Sequence, residues 1–246
     1  LKPQEDEYIL MGMAAYGNPD RLYQTIYDDF LDVSGGAVTF KDNLHRGCMS
    51  WMPELQSEQD YFDIAAATQA VYEFVLLNIL TWASKTYSSK NLVLMGGCAL
   101  NCSANSIAYR CFNDVWIMPN PGDAGSSLGA AALVYGRKVN WTSAFLGHNI
   151  PGAYPVNNIL DELLTRKIVG VASGRAEFGP RALGNRSLLA DPRGSTIKEK
   201  VNDIKRRQQF RPFAPVILEE LADTYFDMPR GWSNSRYMQS VARCRI

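Results

Sequence analysis

The sequence has 246 residues, 46% of them hydrophobic, with 25 Lys and Arg balancing 25 Asp and Glu. This is enough for one large core or two modest ones, and a net charge of zero argues against nucleic acid or an anionic membrane as the main partner, since those need an excess of Lys and Arg. The five cysteines (48, 98, 102, 111 and 244) form no CxxC pair and no export signal precedes them, so they read as reduced thiols of a cytoplasmic chain. No run approaches the roughly 18 apolar residues of a membrane span.

Taken in order, residues 1 to 7 are polar and acidic and read as loop. Tyr8 to Gly17 predicts a short helix closed by Gly17, and Pro19 opens a second that runs to about Phe30. Val33 to Phe40, centred on Gly35-Gly36, predicts a hairpin. The stretch to Gln59, with Cys48, Trp51 and Pro53, is irregular. Asp60 to Tyr87 is apolar on almost every side, which predicts a long buried helix with a structural role. Leu92 to Met95 is a short apolar run that stops at Gly96-Gly97, as a buried strand does when it feeds a tight turn. Helical spacing follows from Ala99 to Ala108. Asp114 to Met118 predicts a second strand, broken by Pro119, Pro121 and Gly122, and Asp123-Ala124-Gly125 opens a small-residue helix to about Tyr135. Arg137 to Pro155 has no periodicity and reads as a linker between domains. Val156 to Lys167 predicts a helix, Ile168 to Ala172 a strand and Val216 to Leu218 another.

Two stretches carry chemistry. The first is LVLMGGCALNCSAN with DVWIMPNPGDAGSSLGAAAL, two strand–glycine loop–helix units in succession. Helix starts at strand ends offer unpaired N–H groups to phosphate. Gly96 and Gly97 lack Cβ atoms and let a ligand approach the backbone. Asn101 and Asn105, four apart, share a helix face. Asp123 is either an N-cap or a carboxylate that holds a cation beside phosphates, and spacing alone leaves both open. The second stretch, SGRAEFGPRALGNRSLLADPR, sets Arg175, Arg181, Arg186 and Arg193 among glycines. Guanidinium forks grip phosphate or carboxylate, although composition equally allows a surface loop. Lys198 and Lys200 read as a solvated face. Neither His45 nor His148 has a partner at metal spacing, and nothing announces a covalent nucleophile.

GGCALNCSAN with PNPGDAGSSLGAA resembles the second actin-like half of the NodU and tobramycin-type O-carbamoyltransferases. SGRAEFGPRALGNRSLLADPR and QQFRPFAPVILEE resemble that family's carboxy-terminal domain. The resemblance implies an α/β chain. Residues 1–147 are expected to form the latter half of an actin-like (ribonuclease H-like) domain with a mixed sheet, and 148–246 a smaller, truncated α+β YrdC-like domain. It implies carbamoyl phosphate and ATP giving carbamoyl-adenylate in the second domain, followed by transfer to a hydroxyl of a sugar or other metabolite in the first. Gly96, Gly97, Asn101, Asn105, Gly122 and Gly125 are then expected at the nucleotide. Asp123 is expected at a divalent metal whose two histidine ligands lie in a first half outside this sequence. Arg175, Arg181, Arg186 and Arg211 are expected on the carbamoyl phosphate and ATP side. The sequence opens on Leu1 within an apparent domain, so it is expected to be a piece of a longer chain. Three alternatives stay open: an actin-like small-molecule kinase, which leaves RAEFGPRALGNR unexplained; a nucleotide-binding partner protein without catalysis; and a tRNA threonylcarbamoyl-transfer relative, which would want a basic face.

Overall fold

The computed structural model describes residues 1–2, 5–47, 50–228 and 235–245, so Cys48 lies outside the described residues. Helix α1 (Glu7–Met13) runs into a 3-10 turn at Ala14–Tyr16. Asn18 caps a 3-10 turn at Pro19–Arg21 by accepting the Asp20 N–H, and α2 (Tyr23–Phe30) follows. Strands β1 (Leu31–Ser34) and β2 (Ala37–Phe40) make the expected hairpin, with Leu31 opposite Phe40 and Ser34 opposite Ala37.

Helix α3 (Glu58–Thr86) is the axis of this half. Ser57 and Asp60 form a capping box at its start, each side chain accepting the other's backbone N–H. Arg21 reaches Asp60 at 2.6 Å and Asp63 at 2.8 Å, tying the entry of α2 to the first turns of α3. Leu22, Ile26 and Leu31 close on Ala67 and Val71 to form one core. Leu76 and Leu80, farther along, meet Ala104, Ala108 and Phe112 in a second. Burial on every side was expected and does not hold, because Tyr61, Phe74 and Trp82 are exposed. The membrane expectation also needs correction. By length and composition alone α3 is long and apolar enough to cross a membrane.

Strand β3 (Asn91–Val93) delivers the chain to the glycine pair. The single helix expected over 99–108 is three pieces: a 3-10 turn at Gly97–Leu100, α4 (Cys102–Asn105) and a 3-10 turn at Ser106–Arg110. Asn101 causes the break. Its backbone leaves the helical region (φ −78°, ψ 87°) and its side chain restarts the helix by accepting the Ala104 N–H. Strand β4 (Asp114–Trp116) then pairs parallel to β3, with Leu92 beside Val115. A 3-10 turn at Asp123–Gly125 leads into α5 (Ser126–Tyr135), which ends on left-handed Gly136. No residue of α5 is buried, and Leu133 and Val134 are 83% and 89% exposed.

Strand β5 (Asn149–Ile150) lies in the stretch expected to be a linker. That stretch is stitched down. Gly147 N–H donates to Ala176 O at 2.9 Å, Ala176 N–H to His148 O at 3.0 Å and Phe178 N–H to Ala144 O at 2.6 Å. Helix α6 (Val156–Arg166) precedes β6 (Ile168–Ala172), β7 (Gly174–Arg175) and β8 (Arg186–Ala190). β6 and β8 are antiparallel, with Ala172 opposite Arg186, and β5 pairs with β7. Buried Asp191 fixes the open end of that hairpin, through Lys167 at 2.9 Å and Arg193 at 2.7 Å. The chain continues through α7 (Ile197–Ile204), α8 (Ala222–Tyr225), β9 (Phe226–Asp227) and β10 (Arg243–Cys244). Among the described residues Val216 to Leu218 joins no ladder, correcting the expected strand. Pro215 beside it has no N–H to offer, and Val216 is 89% exposed. Among the described residues the strands form five separate pairs, one parallel and four antiparallel, so a mixed α/β chain is present but a single mixed sheet is not.

Candidate active site

The two glycine loops touch. Gly96, at φ 97°, donates its N–H to Pro121 O at 2.8 Å, and a Cβ on Gly122 would lie 3.8 Å from both Gly97 Cα and Leu100 Cδ1. Gly97 faces open space. Gly125 has the opposite setting: a Cβ there would lie 1.8 Å from Asn120 O, so this glycine serves the close approach of two backbone segments. Beside the loops opens a cleft of about 750 Å³, lined by Gly96, Trp116, Met118, Asp123, Ser126 and Trp141 among others. Asp123 is exposed at its rim, at the start of the turn that leads into α5. Among the described residues the N–H groups that begin the Gly97 and Asp123 turns have no acceptor one turn earlier, which suits them to an anionic ligand.

The two asparagines are held away from the opening. Asn101 Nδ2 donates to Gln69 Oε1 at 2.8 Å, and Gln69 Nε2 returns a bond to Asn101 Oδ1 at 3.2 Å. Asn105 is wholly buried; its Nδ2 donates to Ala99 O and Gln239 O, both at 2.8 Å. Among the described residues its Oδ1 has no partner. Both side chains therefore shape the loop from behind. Helix α3 shares that work, since Tyr72 Oη donates to Cys98 O at 3.5 Å and Ser103 Oγ donates to Glu73 at 3.2 Å. A purely structural α3 was expected, and the polar Gln69, Tyr72 and Glu73, three and four apart on an apolar helix, were the sign of this second role.

The arginine-rich loop reaches the same place. A Cβ on Gly179 would lie 2.5 Å from Pro119 O, so the loop backbone is pressed against the proline turn that precedes Gly122. Arg181, half-buried, donates from Nη2 to Leu100 O at 3.2 Å. Residues assigned to two separate stretches thus share one locality. The other three expected arginines are differently employed. Arg186 spends its guanidinium on the carbonyls of His148, Ser173, Gly174 and Asn185, at 2.7 to 3.3 Å. Arg175, exposed, donates to Gly147 O at 3.5 Å. Arg211 lies over the Tyr8 ring, 4.8 Å from its centre, on the α1 side, and the burial of Arg207, then the nearby charge of Arg211, lowers the pKa of Arg207.

Glu177 was not singled out from the sequence. Its Oε1 accepts N–H groups from Leu183, Asn185 and Arg186 at 2.8, 2.9 and 3.2 Å. Burial pushes this carboxyl up, but the backbone N–H groups together outweigh burial and hold it below the usual range. A lone acid within a run of arginines and glycines was the available signal.

A metal finds little here. Among the described residues no three of His, Cys, Asp and Glu gather as ligands, and Asp123 contributes a single carboxylate.

Comparison with known proteins identifies the family. Residues 1–132 match the family model described as carbamoyltransferase N-terminus, and 160–246 the one described as carbamoyltransferase C-terminus. Nodulation protein NolO of Bradyrhizobium diazoefficiens is 34% identical over 275 residues, covering 98% of this chain and 50% of its own length. Nodulation protein NolNO of Sinorhizobium fredii is 31% identical, covering 98% and 40%. Nodulation protein U of Azorhizobium caulinodans is 41% identical over 167 residues, covering 61% and 29%. The chain spans half or less of the length of these relatives. Since the first model alone takes in residues 1–132 of 246, the chain belongs to the carbamoyltransferase family.

Proposed function

We propose that this chain carries part of an O-carbamoyltransferase, with residues 1–147 belonging to an actin-like transfer domain and 148–246 to a YrdC-like module that forms carbamoyl-adenylate. Carbamoyl phosphate first loses phosphate to water. The carbamate oxygen then attacks the α-phosphorus of ATP and pyrophosphate departs. An acceptor hydroxyl on a sugar or similar metabolite finally attacks the carbamoyl carbon, loses its proton and displaces AMP. Adenylation turns a poor electrophile into one with a good leaving group.

The observation that carries this reading is the Arg181 bond to Leu100 O, with Gly179 pressed on Pro119. It sets a cation on the loops that are suited to phosphate, where it stabilises charge on a transferring group. Gly97 and Gly122 let the ligand approach, and Asn101 and Asn105 hold the loop. Arg186 fixes the backbone that bears Arg181, while Arg175 and Arg211 remain available to the wider anion path. Asp123 is offered to a divalent cation, which would polarise a carbamoyl or phosphoryl oxygen. With one carboxylate, the described residues do not make a closed metal site. The setting proposed is cytoplasmic, where ATP and carbamoyl phosphate are at hand.

Calorimetric titration with ATP, with and without carbamoyl phosphate, tests the proposal. Carbamoyl phosphate is expected to tighten ATP binding or to release pyrophosphate, and Arg181→Ala to abolish that coupling. ATP binding indifferent to carbamoyl phosphate would favour a kinase and sink the transferase reading.

A further inference from the structure

The segment from Arg175 to Arg186 is wrapped around one carboxylate. Three N–H groups from positions 183, 185 and 186 converge on Glu177 Oε1. The ends of the segment are clamped by the pairing of Ala172 with Arg186 and of Ile150 with Gly174. Its middle presses Gly179 against Pro119 and sends Arg181 to Leu100 O. The acid and Arg181 therefore have separate partners within one loop.

The choice of partners matters. Among the described residues Glu177 makes no ion pair, although three arginines lie within nine positions of it. A carboxylate taken out of water must be satisfied, and amide donors satisfy it with charge-assisted bonds that also fix the backbone. An arginine partner would have satisfied it equally, but would have consumed the guanidinium. Amides leave Arg181 with donors to spare after its bond to Leu100.

We infer that Glu177 is a positioning residue, which folds the loop so that Arg181 meets the glycine loops with its remaining donors free for an anionic ligand. The inference rests on the anion site proposed above and names the group that sets its geometry. Errors of about an ångström in such placement cost on the order of a hundredfold in rate, so the requirement for Glu177 is geometric.

The test is a double-mutant cycle on the full chain, with Glu177→Gln, Arg181→Ala and the double variant, read by titration with carbamoyl phosphate and with pyrophosphate. Gln keeps the shape but removes the charge, and thermal melts confirm that each variant is folded. Glu177→Gln is expected to weaken binding about tenfold on the parent and less than about twofold when Arg181 is already Ala, because the first effect acts through the second residue. Equal losses in both backgrounds, or none in either, would overturn the inference. Amide hydrogen exchange supplies a readout that needs no ligand. Exchange in the Gly96–Leu100 peptide is expected to quicken in Glu177→Gln and Arg181→Ala alike, and protection unchanged in Glu177→Gln would overturn the inference. If neither anion binds the parent while the exchange result holds, the positioning role stands and the carbamoyl-transfer reading of the site falls.

Discussion

Asn105 joins residues far apart in sequence, one amide nitrogen serving the Ala99 and Gln239 carbonyls from a fully buried position. Replacing it by Ala leaves both acceptors short of a donor, and a loss of about 1–3 kcal/mol is expected in chemical denaturation. Gly125→Ala should cost more, above about 3 kcal/mol, because a Cβ 1.8 Å from Asn120 O distorts the turn that carries both residues. Gly97→Ala meets open space, so its melting should stay near the parent's while ATP affinity falls. These glycines look alike in the sequence. The motif shows that the backbone turns there, but whether the missing Cβ makes room for a ligand or for another strand of the same chain depends on contacts made at a distance. The arginines pose the same difficulty. Nothing within SGRAEFGPRALGNR distinguishes Arg181, which reaches the glycine loops, from Arg186, which holds four carbonyls of its own neighbourhood.

Among elements, α3 was the most legible, since its apolar length is a local signal, although its Ser57 cap was not read and the helix begins at Glu58 rather than Asp60. Its exposed faces were not, because apolarity alone does not say what covers a helix. The break at Asn101 was missed because a short polar side chain in a helical spacing can equally cap a new turn. The strand expected at Val216 failed for want of a neighbour, which a propensity argument never includes. The start of α3 also carries a pH dependence. Hydrogen bonds from Ser57, then from Arg21, hold the Asp60 carboxyl at about 2, and the Asn18 N–H, then Arg21, keeps Asp63 low. In the other half, Arg193 and Lys167 keep Asp191 low. A carboxyl whose folded pKa is depressed gives stability that is complete above its unfolded value and is lost as pH falls through the folded one. The melting midpoint should therefore drop between about pH 4 and pH 2, the span from an ordinary aspartate to Asp60. Asp60→Asn should flatten that part of the profile.

At the scale of the whole molecule, α5 and the sheet beside it present a bare apolar surface, with Leu133, Val134 and Tyr135 on the helix and Val93, Met95 and Trp116 on or beside the strands. Such area promotes association. Sedimentation of this chain should show concentration-dependent self-association, and a Leu133→Glu, Val134→Lys double substitution should suppress it while leaving the melting midpoint unchanged. The family was legible in the long motifs, whereas the meeting of the glycine and arginine loops was not, because positions 100 and 181 become neighbours only in three dimensions. The Asn105–Gln239 bond, and the mutual bonds of Ser106 and Val241 beside it, also fix an order of events during protein synthesis. Asn105 leaves the ribosome 134 residues before Gln239. At translation speeds of about 5–20 residues per second the nascent chain waits roughly 7–27 s for that partner. The glycine loop is therefore made early and clasped late, and ribosome-bound chains stalled before Gln239 carry the loop without its clasp.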